Sequence, residues 1–265
     1  MLRIITAVIL GALAIAVIWW LPGRLFNLLV VAIAALGLFE FSRIFIRDGV
    51  MRWATTLSGL ALSAAMLFCP LSPESIVILL AALLFLMALL FMWRATDLTG
   101  IAEQLGLSIL GIVYLGLAFP FWGWLRGLYW GRELVLLTLA PACLCDTFAF
   151  FAGKLFGKRR MSPLVSPNKT VEGFVGALVG SLVGTFLVRW LVLPQIAWQF
   201  ALGLALVIWI ISPMGDLIES MLKRSAGVKD SGSIIPGHGG VLDRLDALIF
   251  SGPAAYVFVK YVIGI

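Results

Sequence analysis

Residues 75–93 read SIVILLAALLFLMALLFMW, without a single charge. The hydrocarbon core of a bilayer is about 30 Å thick and takes about 20 apolar helical residues to cross, so this stretch is long enough for one span. Working outward from it, comparable apolar runs cover 4–22, 25–46, 53–72, 104–125, 133–153, 173–193, 195–214 and 245–264. The expected fold is therefore all-α, a polytopic integral membrane protein of nine helices. The connections leave no room for a soluble domain. The expected organisation is one membrane unit, with N-terminal helices over 1–103 and C-terminal helices over 104–265 that carry a polar site at one face.

Composition points the same way. The chain is 62% hydrophobic and 12% charged, where a soluble domain has roughly 45–50% apolar and 25% charged residues. Its mean hydropathy is +1.11. A soluble fold of this size could not hide so much apolar surface. A net charge of +6 would suggest nucleic acid in a soluble protein. Here the charges sit at the ends of apolar runs, where orientation and anionic head groups explain them, and no nucleic-acid partner is expected. Cys69, Cys143 and Cys145 are too few and too apolar in setting for a disulfide framework or a zinc site. The first run lacks a small-residue cleavage site, and Trp19-Trp20 reads as an interfacial anchor, so it is expected to be a span and not a signal peptide.

Nine spans place fourteen cations on the side of the N-terminus: Arg3, Arg43, Arg47, Arg52, Arg94, Lys154, Lys158, Arg159, Arg160, Lys169, Lys223, Arg224, Lys229 and Arg244. Five lie on the other side. This bias predicts a cytoplasmic N-terminus and an external C-terminus. Two connections on the cytoplasmic side are longer and more polar than the rest, 153–170 (GKLFGKRRMSPLVSPNKT) and 220–241 (SMLKRSAGVKDSGSIIPGHGGV).

Ionisable groups inside a bilayer cost about 2.5–3.5 kcal/mol each on insertion scales, and carboxylates there are either paired or functional. Asp216 and Glu219 share one helical face at i, i+3, and Lys223 follows Glu219 at i+4. Asp243 and Asp246 repeat the i, i+3 spacing at the start of the last span. The two helix ends are expected to meet across the Gly-rich loop and bring these carboxylates to one depth. Hard oxygen ligands of this kind suit Mg²⁺, which binds through one or two carboxylates together with substrate phosphates. The alternative is a set of buried ion pairs, Glu219 with Lys223 and Arg244 with a neighbouring Asp. Asp146, towards the cytoplasmic half of the sixth span, belongs either to the metal site or to a helix–helix hydrogen bond.

SPNKTVEG is expected to open a helix with Ser166, Thr170 and Glu172, and a helix N-terminus with Lys169 nearby would bind phosphate. Thr170 serves equally well as a plain N-cap. His238, the one histidine, lies among glycines whose exposed N–H groups could cradle an anion. Gly173, Gly176, Gly180 and Gly184 line one face of the seventh span and read as close-packing glycines.

The stretch SMLKRSAGVKDSGSIIPGHGGVLDRLD (220–246) resembles the signature of the phosphatidate cytidylyltransferases, or CDP-diacylglycerol synthases, in Ser220, Lys223-Arg224, Lys229-Asp230, His238-Gly239-Gly240, Asp243-Arg244 and Asp246. SPNKTVEG and Asp146 are similar to the same family; the first hundred residues match only as apolar spans. The resemblance implies transfer of the cytidylyl group of CTP to phosphatidate, giving CDP-diacylglycerol and pyrophosphate for phospholipid synthesis. It implies Mg²⁺, a second cation such as K⁺, and a homodimer in the inner membrane with a cytoplasmic site. It places Asp216, Asp243 and Asp246 around the metal, with Asp146 at or near it. Lys223 would lie near the reacting phosphates. Ser166, Lys169, Thr170, Ser220, Arg224, Lys229, His238, Gly239, Gly240 and Arg244 would bind substrate. It leaves Glu219 and Asp230 without a role. A proton-coupled carrier would also hold intramembrane charges, but these cluster at one face and no inverted repeat is visible.

Overall fold

A computed structural model describes residues 2–232 and 239–264, with side chains from Gly11 onward. It is a polytopic α-helical protein. Among the described residues eight helices are long and apolar enough to cross a membrane, and they coincide with the second to ninth expected spans. The first expected span is also helical, α1 (Leu2–Trp20). α4 (Pro73–Arg94) has only Met87 and Phe91 as buried residues, and its Val77, Ile78 and Phe85 are each more than 60% exposed. Side chains of this kind on every face are stable only where the solvent is itself apolar.

The chain forms two compact units. One consists of residues 24–123 and 230–243. It holds α2 (Gly23–Phe45), α3 (Gly49–Phe68), α4 and α5 (Ile101–Gly111), with a π-helical turn at Ile112–Leu117. Glycines let these helices touch through their backbones: a Cβ on Gly116 would stand 2.8 Å from Cα of Gly59, and Ser63 Oγ donates to the Gly116 carbonyl at 2.9 Å. Lipid offers no competing hydrogen bonds, so small residues and buried hydroxyls of this type are what bind membrane helices together. The fifth expected span is thus not one straight helix. It is interrupted at Ile112–Leu117 and resumes as α6 (Phe121–Gly127), after Pro120, which has no N–H to continue a helix. At the end of α2, Gln104 accepts from Arg47 N at 2.8 Å and donates to the Phe45 carbonyl at 3.2 Å. Asp48 caps α3 through Met51 N at 2.9 Å.

The other unit consists of residues 1–23, 124–229 and 244–265. It holds α1, α7 (Gly131–Phe156), α8 (Val171–Leu191), α9 (Trp198–Ser225) and most of α10 (Leu242–Phe258). The four glycines of α8 lie where expected, along its contact with α7. A Cβ on Gly184 would stand 2.7 Å from Cα of Pro141, one on Gly173 would stand 2.9 Å from the Ala149 carbonyl, and Gly176 and Gly180 abut Ala152 and the Leu144 carbonyl. α9 runs well past residue 214, so Asp216, Glu219 and Lys223 stand on one continuous helix.

Between α7 and α8 the structure departs from expectation. Ser166–Thr170 is not the opening of a helix but a strand, β2, paired antiparallel with β1 (Arg160–Ser162). The hairpin satisfies backbone groups that a polar loop at the membrane surface would otherwise leave to water. α8 starts only at Val171, with Thr170 as its N-cap: Oγ1 accepts from Gly173 N at 3.0 Å. Glu172 in the first turn accepts from Lys158 N and Arg159 N at 3.0 and 3.2 Å and closes the hairpin onto the helix.

Overpacking of a tight core contact costs about 1–3 kcal/mol, so Gly184→Val should lower the thermal unfolding temperature of the detergent-purified protein by several degrees. Gly106→Ala, where nothing lies within 4 Å of the new methyl group, should leave it unchanged or raise it. Equal effects at the two positions would refute the packing role of the α8 glycines.

Candidate active site

Three helices of the second unit carry the carboxylates. α7 supplies Asp146, α9 supplies Asp216 and Glu219, and α10 supplies Asp246. Gly215 sets the approach of α9 to α10: a Cβ there would lie 2.6 Å from the Asp246 carbonyl oxygen. The consequence is that Asp246 lies within electrostatic reach of Asp216, Asp146 and Glu219, and Asp146 within reach of Asp216, Lys169 and Arg244.

Lys169, from β2, enters this group. Its Nζ lies 2.6 Å from Asp216 Oδ2, with both side chains about a quarter exposed, at 26% and 24%. Ser220, one turn beyond Asp216 on α9, donates from Oγ to Asp216 Oδ1 at 3.3 Å. Asp246 accepts from Ala247 N at 2.6 Å. Asp146 and Arg244 are exposed, and Asp246 is half-buried. None of these groups is fully buried in the helix packing. Several carboxylates gathered at one place repel one another unless a cation lies among them, and among the described residues Lys169 forms its ion pair with Asp216.

Glu219 and Lys223 follow the ion-pair alternative of the sequence reading. Their charged atoms are 2.7 Å apart, and the Glu219 side chain is 1% exposed. Asp243 belongs to a network in the other unit. Its carboxylate accepts from Ser231 N at 3.0 Å and from Gly240 N at 2.8 Å, and Ser231 Oγ accepts in turn from Asp243 N at 3.3 Å. The Gly240 N–H, expected to face an anion, is thus spent on Asp243. Gly239 has φ +79°, and a Cβ there would strike Asp243 Oδ2 at 2.5 Å. His238 lies outside the described residues.

Of the other sequence candidates, Ser166 pairs with Ser162 in the hairpin, and Thr170 uses its hydroxyl as the N-cap of α8. Thr170 thus opens α8 as the plain N-cap that the sequence also allowed, while Ser166 lies in β2 before the helix begins. Arg224 is exposed and donates to the Val228 carbonyl at 3.2 Å; Lys229 and Asp230 are exposed.

Two residues escaped the sequence reading. Glu40, on α2, accepts from Ser231 Oγ at 3.0 Å, Val241 N at 3.0 Å and Leu242 N at 2.8 Å. Ser231 bridges Glu40 and Asp243. A carboxylate inside an apolar run was the signal that could have found Glu40; nothing local marks Ser231.

The donor set of Asp146, Asp216 and Asp246 consists of hard oxygens with negative charge in excess, and it fits a divalent cation of the Mg²⁺ type. Among the described residues no three such side chains converge into a ready-made metal cage.

The chain matches the sequence model of the cytidylyltransferase family over residues 1–262. It belongs to that family. Similar relatives are phosphatidate cytidylyltransferases. That of Bacillus subtilis (strain 168) is 36% identical over 155 residues, 58% of each chain. That of Staphylococcus aureus (strain COL) is 38% identical over 145 residues, 55% of each. That of Thermotoga maritima is 41% identical over 140 residues, 51% of this chain and 52% of the relative. The aligned part thus spans little more than half the length of these cytidylyltransferases.

The ion pair at the centre of the cluster can be measured. Groups in direct contact couple by about 0.5–3 kcal/mol in a double-mutant cycle, so the destabilisation by Lys169→Met and by Asp216→Asn should be clearly less than additive when both are combined. Strict additivity would mean that the pair is not formed.

Proposed function

We propose that this protein transfers the cytidylyl group of CTP to phosphatidate, producing CDP-diacylglycerol and pyrophosphate, at the carboxylate cluster of α7, α9 and α10. The single observation that carries the reading is the gathering of Asp146, Asp216 and Asp246, with Lys169 paired to Asp216, in a family whose similar relatives are phosphatidate cytidylyltransferases. The charge distribution of the sequence supports nine spans with the N-terminus in the cytoplasm, and so a cluster at the inner face of the cell membrane. There a soluble nucleotide and a lipid phosphate can both reach it.

The chemistry matches the residues. The phosphate monoester of phosphatidate is an anion near neutral pH and needs no strong general base. One of its oxygens attacks the α-phosphorus of CTP. The new P–O bond forms as the bond to the bridging oxygen of the β-phosphate breaks, and that electron pair leaves with pyrophosphate. The obstacle is repulsion between anions, and the protein's task is positioning and charge neutralisation. Lys169 and Arg244 bring positive charge to the cluster. Lys223 is held in one place by Glu219. A divalent cation held by Asp146, Asp216 and Asp246 would neutralise phosphate charge in the attack and on the leaving group. Asp243, expected among the metal ligands, accepts from Ser231 N and Gly240 N, and it keeps further lone pairs with which a cation would be held.

The decisive assay follows pyrophosphate and CDP-diacylglycerol formed from CTP and phosphatidate by the purified protein. Both should appear in equal amounts and vanish on chelation of divalent cations. Asp216→Asn and Asp246→Asn should each lower turnover by about a hundredfold or more in a folded protein, the scale at which electrostatic stabilisation of a transition state acts. Undiminished turnover in either variant would remove that residue from the mechanism, and absence of product from the intact protein would overturn the reading.

A further inference from the structure

We propose that Glu40 is a positioning residue, a buried carboxylate on α2 that clamps the glycine-rich segment of the family signature and caps the helix that follows it. It stands about 200 residues before its partners in sequence, and no feature of the signature itself points to it.

The geometry is specific. Glu40 is 3% exposed. Oε1 accepts from Val241 N, and Oε2 accepts from Leu242 N and Ser231 Oγ. Val241 and Leu242 are at the start of α10, where the first N–H groups of a helix have no partner within it. A carboxylate there satisfies them and meets the positive end of the helix dipole. The local chain leaves room for nothing else. A Cβ on Gly240 would stand 2.5 Å from Glu40 Oε2, and one on Gly232 2.8 Å from Oε1. Asp243 completes the clamp by holding Ser231 and Gly240 through their N–H groups. Both ends of the segment that carries His238, Gly232 on one side and Gly239-Gly240 on the other, therefore rest against these two carboxylates. Among the described residues Glu40 forms no ion pair; its charge is met by N–H and O–H donors alone.

A charge satisfied in this way holds chain in place and does no bond chemistry. Glu40 is thus expected to act through the loop, and its effect on turnover rests on the cytidylyl-transfer reading. The structural part of the inference does not.

Glu40→Gln keeps the shape but replaces one accepting oxygen with an NH₂ group that faces donors. Hydrogen bonds to a charged acceptor are stronger than neutral ones. Hydrogen–deuterium exchange in the purified protein should therefore speed up about tenfold in peptides covering 229–232 and 239–245, with the rest of the chain unchanged. The unfolding temperature should move little, and kcat/KM for CTP and phosphatidate should fall about tenfold, with Glu40→Asp intermediate, as a misplaced group costs in a positioned site. Unchanged exchange in these peptides, or a uniform rise across the chain, would overturn the clamp. Local exchange faster but turnover per folded molecule equal to that of the intact protein would overturn the positioning role. If the intact protein forms no CDP-diacylglycerol, the reaction assignment fails and exchange alone judges the clamp.

Discussion

A carboxylate near the apolar interior of a membrane cannot rely on water. It must find N–H groups, hydroxyls or a cation within the protein, or remain a site of unbalanced charge. The carboxylates of this chain divide along that line. Glu219 is buried against Lys223. Asp243 and Glu40 are buried against backbone N–H groups and Ser231. Asp146, Asp216 and Asp246 interact with one another; Lys169 pairs with Asp216, Lys169 and Arg244 lie near Asp146, and none of the three carboxylates is fully buried. The satisfied carboxylates hold chain segments in place. The unbalanced ones keep the capacity to take a cation and, with it, phosphate oxygens.

Close backbone approach is what brings the second group together. Lys169 reaches Asp216 because its strand is tied to both flanking helices. Thr170 caps α8, Glu172 binds the chain at Lys158 and Arg159, and the glycines of α8 let it lie directly on α7. Gly215 does the same for α9 and α10. Between helices in lipid there is little hydrophobic force, and contact depends on van der Waals fit and a few polar bonds. A methyl group at these positions would push apart the elements that carry the charges.

The amino-acid sequence by itself determined the helical membrane fold, since runs such as 75–93 have only one stable solvent and one backbone form within it. It also determined the spacing of Asp216, Glu219 and Lys223, because the period of a helix is a local property. The packing of the α8 glycines was legible for the same reason. The hairpin at 160–170 was not legible, because two short strands are stabilised by pairing with each other and carry little pattern of their own. Which partners each carboxylate takes was equally hidden. Asp243 and Asp246 look alike in sequence, yet Ser231 and Gly240 engage one of them. Glu40, in the first part of the chain, meets Val241 and Leu242 only once the chain has folded. Such partnerships join residues far apart in sequence, and only tertiary structure decides them, because a buried charge is satisfied by whatever donors the packing delivers.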